Sequence, residues 1–316
     1  MTSRKLSLTR QIMKLALPGI CLVGTAGICA AQTPAKVVVP SAKKAALPVA
    51  TPSVPDAGFG KTKDSAVTLR YAVFVHGIHV MDAEGAYVLR PWGYGGKARL
   101  YTIGLASWFL NINIYAETQG HFDDKGWAEP LEYDSHGLSR KKERHAHIKF
   151  DQDGPHLTLL TPKDRERDPL PEDKLKSSMD ILSGLATLFQ SLAVTGKCDL
   201  SGTLYDGLRL THIEAHGPVA DKIPTLHDAS YSGQEAQRCD FIGYQIAGFP
   251  KDSRHKKLLS TPQPGKAWFL TLKDYGIVPV KIEFHHPKVG DIEMVMQSTP
   301  ATAEMVESPQ TDRPSH

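Results

Sequence analysis

Apolar residues in this chain recur mostly at every second position, and in one segment only at helical spacing. Val67, Leu69, Tyr71, Val73 and Val75 alternate with Thr68, Arg70 and His76. Such alternation sets one face of a strand against a core and leaves the other to solvent. It returns in 79–89, 100–105, 110–114, 208–214, 278–284 and 292–296. Gly77 permits the first turn, and the cluster Pro91–Gly96 marks a loop. Many short strands at this spacing predict an antiparallel sheet or open barrel. The exception is Leu175, Met179, Leu182, Leu185, Ala186, Phe189, Leu192 and Ala193, with Ser177 and Asp180 as a capping pair and Gly196 as the stop. An apolar helix in a β-rich chain has only a sheet face to bury itself against. The expected fold is therefore mainly β, a curved antiparallel sheet or open half-barrel covering one long apolar helix from Leu175 to Val194.

The two ends of the chain differ from this core. Arg4, Lys5, Arg10 and Lys14 precede an uncharged apolar run from Leu15 to Ala31 that closes on Cys29, Ala30 and Ala31. A basic start, an apolar stretch and small residues form a secretory signal, cleaved near Ala31. The run is short for a membrane span and is broken by Pro18, Gly19, Gly24 and Gly27. Ile20 and Ile28 stand before the cysteines where an acylated lipoprotein would need a small residue. The expected address is thus periplasmic or secreted, with no membrane span after cleavage. Residues 32–64, with prolines at 34, 40, 48, 52 and 55, predict a disordered tether, and 299–316 a disordered tail. One β-rich domain is expected over 65–298.

Removing residues 1–31 from the 316 leaves 285 and takes four basic and no acidic residues, so the formal charge falls from +3 to −1. A nearly neutral chain with interleaved signs has no field to hold nucleic acid. The basic run Ser139–Lys149 reads as a solvated face. Cys21 and Cys29 leave with the signal, and the remaining two, Cys198 and Cys239, read as one disulfide in an exported chain. Their separation is too wide for the C-x-x-C spacing of redox or metal pairs.

The segments "LRYAVFVHGIHVMDAEGAYV" (69–88), "ETQGHF" and "DKGWAEPLEYDSHG" within 117–137, "SSMDILSGLATLF" (177–189), "YDGLRL" (205–210), and Cys239 followed by "GYQIAGF" (243–249) resemble the domain of unknown function 3108 family of exported bacterial proteins. The resemblance spans about 65–298. It implies a shape similar to the periplasmic lipoprotein carriers, with a concave site for an acyl chain or extended ligand, and it carries over no catalytic residues.

His145 and His147 stand two apart, so on a strand both imidazoles leave one face, as zinc binding requires. Candidates for further ligands are Asp151, His212, His216, His285 and His286. "FVHGIH" (74–79) is similar to the oxyanion loop of esterases, but no G-x-S-x-G elbow accompanies it, and Ser183 reads as a packing residue. Gly60, Lys61 and Thr62 lack the first glycine of a phosphate loop, since position 55 is Pro55. Trp108, Phe109, Ile112 and Trp127, with Leu182 and Phe189 of the helix, are the candidate lining of an apolar cleft. The leading expectation is a non-enzymatic protein, without a cofactor, that binds a lipid or polysaccharide of the envelope between sheet and helix. The alternatives are a metal-dependent hydrolase built on His145 and His147, and a structural module that binds an envelope protein.

Overall fold

The computed structural model describes residues 65–139, 142–163, 166–225 and 230–304. The signal, the whole tether 32–64 and residues 305–316 lie outside them. In chain order the strands are β1 (Ser65–Val75), β2 (Ile78–Arg90), β3 (Gly93–Thr102), β4 (Ile112–Phe122), β5 (Ala128–Ser139), β6 (Lys142–Asp151), β7 (Gly154–Thr161), β8 (Ser178–Met179), β9 (Leu200–Tyr205), β10 (Leu210–Lys222), β11 (Glu235–Ala247), β12 (Gln263–Leu272), β13 (Gly276–His286), β14 (Gly290–Met296) and β15 (Ala301–Glu304). Helices are α1 (Ala106–Phe109), α2 (Glu172–Lys176), α3 (Ile181–Thr195) and α4 (Lys256–Leu259). The strands form one sheet in the order β7-β6-β5-β4-β3-β2-β1-β14-β13-β12-β11-β10-β9-β8, with β15 on β1. All ladders are antiparallel except the short β8–β9 pair.

The sheet curls until it is nearly closed, further than the expected half-barrel. Its two ends meet through side chains: Tyr133 and Ile148 from β5 and β6 share a core with Tyr205, Leu210 and Ala247 from β9, β10 and β11. At the seam a Cβ on Gly154, whose φ is 109°, would lie 2.8 Å from the Cα of Lys176. Only glycine lets β7 approach α2 this closely.

The single long helix is a correction. Leu175 belongs to α2, Ser178 and Met179 pair with Thr203 and Leu204 as β8, and α3 begins only at Ile181. The break is set by Asp180, whose extended backbone stops the preceding turn and whose carboxylate accepts from the Leu182 and Ser183 amides. Gly196 ends α3 in the left-handed conformation at φ 69°. Nor is α3 uniformly apolar: Ser183 and Thr187 are buried beside Ala186, Phe189 and Leu192, while Ile181 and Val194 are exposed.

Two further expectations change. Gly93–Gly96 belongs to β3 and not to a loop, because Gly93 passes the Gly120 carbonyl at a distance where a Cβ would come to 2.8 Å. Residues 301–304 of the expected disordered tail pair with Ser65–Thr68, helped by the Thr68 hydroxyl donating to the Ala301 carbonyl at 2.9 Å.

Lys281 on β13 is 1% exposed, with its ammonium 2.6 Å from Glu283 Oε1, 3.5 Å from Glu293 Oε2 and 5.5 Å from the Trp268 ring. Its alignment gives no good hydrogen bond, so the contact is ionic and cation–π. Because both glutamates keep some access to water, Lys281→Ala is expected to cost about 2 kcal/mol, below the range for a fully buried pair. Lys281→Met, which retains the stem against Trp268, should cost less. Urea midpoints of the two variants check the order.

Candidate metal centre

Strands β5 and β6 form a hairpin in which Glu132 pairs with Lys149, Asp134 with His147, and His136 with His145. Alternate residues of a strand share a face, so Glu132, Asp134, His136, His145 and His147 leave the hairpin together. Tyr133 and Ile148 point the opposite way, into the core. Asp134 is the hub: Oδ1 lies 2.8 Å from His136 Nδ1, and Oδ2 lies 2.6 Å from His145 Nε2 and 3.1 Å from His147 Nδ1. The other nitrogen of His147 is 3.0 Å from Glu132 Oε1. His136 stacks on Tyr115 at 5.7 Å, and Arg99 lies 5.0 Å over the same Tyr115 ring. Partial burial raises the Asp134 carboxyl, but hydrogen bonds from His145, His136 and His147 outweigh it and hold the carboxyl below its ordinary value.

One donor atom each from Asp134, His136 and His145 lies within 4.8 Å of the others. Two imidazoles and a carboxylate can bind a transition-metal ion and leave a position open for water or a ligand. Hard cations such as calcium and magnesium prefer all-oxygen shells, so the donor set disfavours them.

Of the two histidines read from the sequence, His145 belongs to this donor group, while His147 stands beside it, spanning Asp134 and Glu132. The other suggested ligands lie elsewhere. Asp151 pairs with His156, His212 with Glu214, His216 with Asp199, and His285 with Asp291. His286 lies near the β13–β14 turn, with its ring nitrogen accepting from the Lys288 amide. Asp134 and His136 were missed, although a signal for them exists. An antiparallel register that sets Ser139 opposite Lys142 pairs E-x-D-x-H in 132–136 with H-x-H in 145–147 on one face.

The six residues expected to line one cleft are dispersed. Trp108 and Phe109 are 73% and 83% exposed at the β3–β4 connection, and Ile112 starts β4 beside them. Trp127 borders a groove of about 420 Å³ with Met179, Thr203, His212 and Tyr244. Phe189 borders another, of about 230 Å³, with Tyr87, Leu89, Ala193 and Ile277. Leu182 packs in the Tyr133–Ile148 core. Neither groove touches the Asp134 cluster. Ser183 is more than a packing residue: its hydroxyl donates to Asp180 Oδ2, and the Tyr94 hydroxyl reaches it at 2.7 Å.

The described residues contain no helix long and apolar enough to cross a membrane. Cys198 and Cys239 form the expected disulfide, with Cα atoms 6.1 Å apart. No family model matches the chain, so membership of the domain of unknown function 3108 family is not shown. No curated protein matches it either. Among solved structures, the chain is similar to a β-barrel-like protein of domain of unknown function DUF1849 from Brucella abortus. The two share 12% identity over 77% of this chain and 99% of that one, with a TM-score of 0.44. A likeness this distant assigns neither family nor function.

Proposed function

We propose that this is an exported protein that binds a transition-metal ion, zinc being the reference case, through Asp134, His136 and His145, with His147 and Glu132 orienting the carboxylate. The observation that carries the reading is the Asp134 carboxylate held within hydrogen-bond distance of three imidazoles on one face of a hairpin. Hydrogen bonds now made by the donor atoms would be exchanged for coordination, and the stacked Tyr115 and His147 would keep the rings aimed. The cluster lies on the outer face of the hairpin with neither groove beside it, which favours binding over hydrolysis of a polymer. Carriage of an acyl chain between sheet and helix has less support. Phe189 and Leu192 of α3 pack into the core against Ala267 and Phe269. The groove beside Phe189 falls below the usual 300–1,000 Å³ of small-molecule sites, and the larger groove beside Trp127 is lined by no residue of α3.

Cobalt(II) and zinc(II) titration of the purified protein, followed by visible absorption and calorimetry, tests this. One ion per chain is expected. Asp134→Asn and His145→Ala should each weaken binding by about 10- to 100-fold or more, while His285→Ala should leave it unchanged. Stoichiometric binding that survives both cluster substitutions would place the ion elsewhere. No binding by the wild-type protein would reduce the cluster to a hydrogen-bonded ladder on the sheet.

A further inference from the structure

Apolar residues scattered singly over a surface need no explanation, but a contiguous exposed group does. Among the described residues, four of the five most exposed large hydrophobics lie at one end of the barrel: Phe109 at 83%, Trp108 at 73%, Leu105 at 70% and Ile78 at 67%. Their neighbourhood follows from the ladders. Met81 pairs with Thr102, so Ile78 in the β1–β2 hairpin and Leu105 in the β3–β4 connection run off adjacent strand ends. Val75 pairs with Ile292, which brings the β13–β14 turn and its exposed Val289 to the other side of Ile78. Three successive connections around the rim therefore present aliphatic and aromatic side chains to solvent.

Basic residues flank this crest on both sides. Ile112 pairs with Ser139 and Ser139 with Lys142, so the start of β6, with exposed Lys142 and Arg144 around exposed Glu143, lies at this end beside the start of β4. On the far side, Gly265 pairs with Phe284, which puts the β11–β12 connection at the same end as exposed Lys288. That connection carries Lys251, Arg254, Lys256 and Lys257 against one acidic residue, Asp252. Two of these lysines are neutralised locally, Lys251 by Glu166 and Lys256 by Asp168. The sign of the flanks is still positive, although the chain after residue 31 has a formal charge of −1.

A projecting Trp, Phe, Leu and Ile between cationic flanks matches the interface of an anionic bilayer. Indole and aliphatic groups settle at headgroup depth, while lysine and arginine meet lipid phosphates. We propose that this end of the barrel docks on the surface of a membrane containing anionic lipid. The contact is peripheral, made by loops, and leaves the Asp134 cluster on the side of the barrel. It stands whether or not that cluster binds metal.

The test is co-sedimentation of the purified protein with phosphatidylcholine vesicles that contain phosphatidylglycerol, beside vesicles of phosphatidylcholine alone. Binding is expected to the first and to weaken at least roughly tenfold on the second or at high salt. Trp108→Ser/Phe109→Ser should lose roughly tenfold or more in affinity while keeping the wild-type circular dichroism and melting temperature, since both side chains are already in water. The N-terminal apolar run is common to both proteins, so their difference reads the loop alone. Equal binding by wild type and double variant, equal binding to both vesicle types, or no binding overturns the proposal. So does a self-associated species that the double variant disperses while vesicle binding stays absent, because the crest would then join two copies of the chain.

Discussion

Asp180→Ala is expected to destabilise the fold by about 3 kcal/mol at neutral pH, among the largest effects of any single substitution here. Asp180 is fully buried between α3 and the sheet. Its Oδ1 accepts from the Leu182 and Ser183 amides at 2.9 and 3.0 Å, and its Oδ2 receives the Ser183 hydroxyl and lies 3.0 Å from the Thr118 hydroxyl. Alanine would abolish the cap and leave two amide donors bare in the interior, where each costs about 1–3 kcal/mol. The hydroxyls are less exposed to loss, because Thr118 also reaches the Glu132 carbonyl at 3.1 Å and Ser183 meets Tyr94. An offset comes from charge: burial raises the Asp180 carboxyl above its ordinary 3.8, and the hydrogen bonds from Ser183, Leu182 and Thr118 reduce that rise without cancelling it. Holding the ionised form therefore costs free energy that alanine would not incur.

The same shift has a testable sign. A carboxyl raised in the folded state binds its proton more tightly there than in the unfolded chain. Its contribution is fully present below pH 3.8 and is lost as pH rises through the folded value. Asp180→Asn keeps an acceptor at the cap and removes the titration. Relative to wild type, this variant should gain stability as pH is raised from about 4 to 7, read from urea midpoints at each pH. A gap that is flat, or that widens toward acid in the variant's favour, would mean the carboxylate is well accommodated as an anion.

The strands at 67–75 and 278–284 were legible because Leu69, Tyr71, Val278 and Val280 send every second side chain into one shared core. The opposite face is not open to water, since Ala72 and Phe74 are buried against Val295 and Lys281 is buried as well. The Gly93–Gly96 stretch was not legible. Its glycines permit close approach to Gly120 and to α3, a requirement set by residues distant in sequence. The break before α3 was misread because Leu175 and Met179 fit the helical period, although they belong to α2 and β8. The disulfide could be read because two cysteines allow one pairing. The metal cluster was half legible. His145 and His147 share a strand, whereas Asp134 and His136 join them only through the hairpin register, which periodicity within one strand does not contain. The basic run 139–149 mixes two roles for the same reason, since its histidines meet Asp134 while Lys142 and Arg144 are exposed at the start of β6.

Replacing Cys198 and Cys239 together by alanine should cost about 4 kcal/mol, the other large effect. The bond closes a separation of 41 residues, for which the chain-entropy model gives that figure. It ties the segment after α3 to β11, and both sulfurs are buried with Phe189, Leu192, Ala267 and Phe269. Those contacts hold the C-terminal half of α3 inside the sheet, while Asp180 holds its start. For a domain of this size the loss corresponds to a fall in melting temperature of roughly 8–16 °C. A cost below about 1 kcal/mol would show that packing alone fixes the end of α3 and that the unfolded chain is already compact. The measurement also bears on the proposed export. Such a bond persists in oxidising compartments and is rare in the cytosol. Protein made without residues 1–31 and kept in the cytosol should therefore carry two free thiols and melt near the alanine variant. Protein made with the N-terminal segment should carry none, and free thiols in both preparations would count against the segment as a working signal.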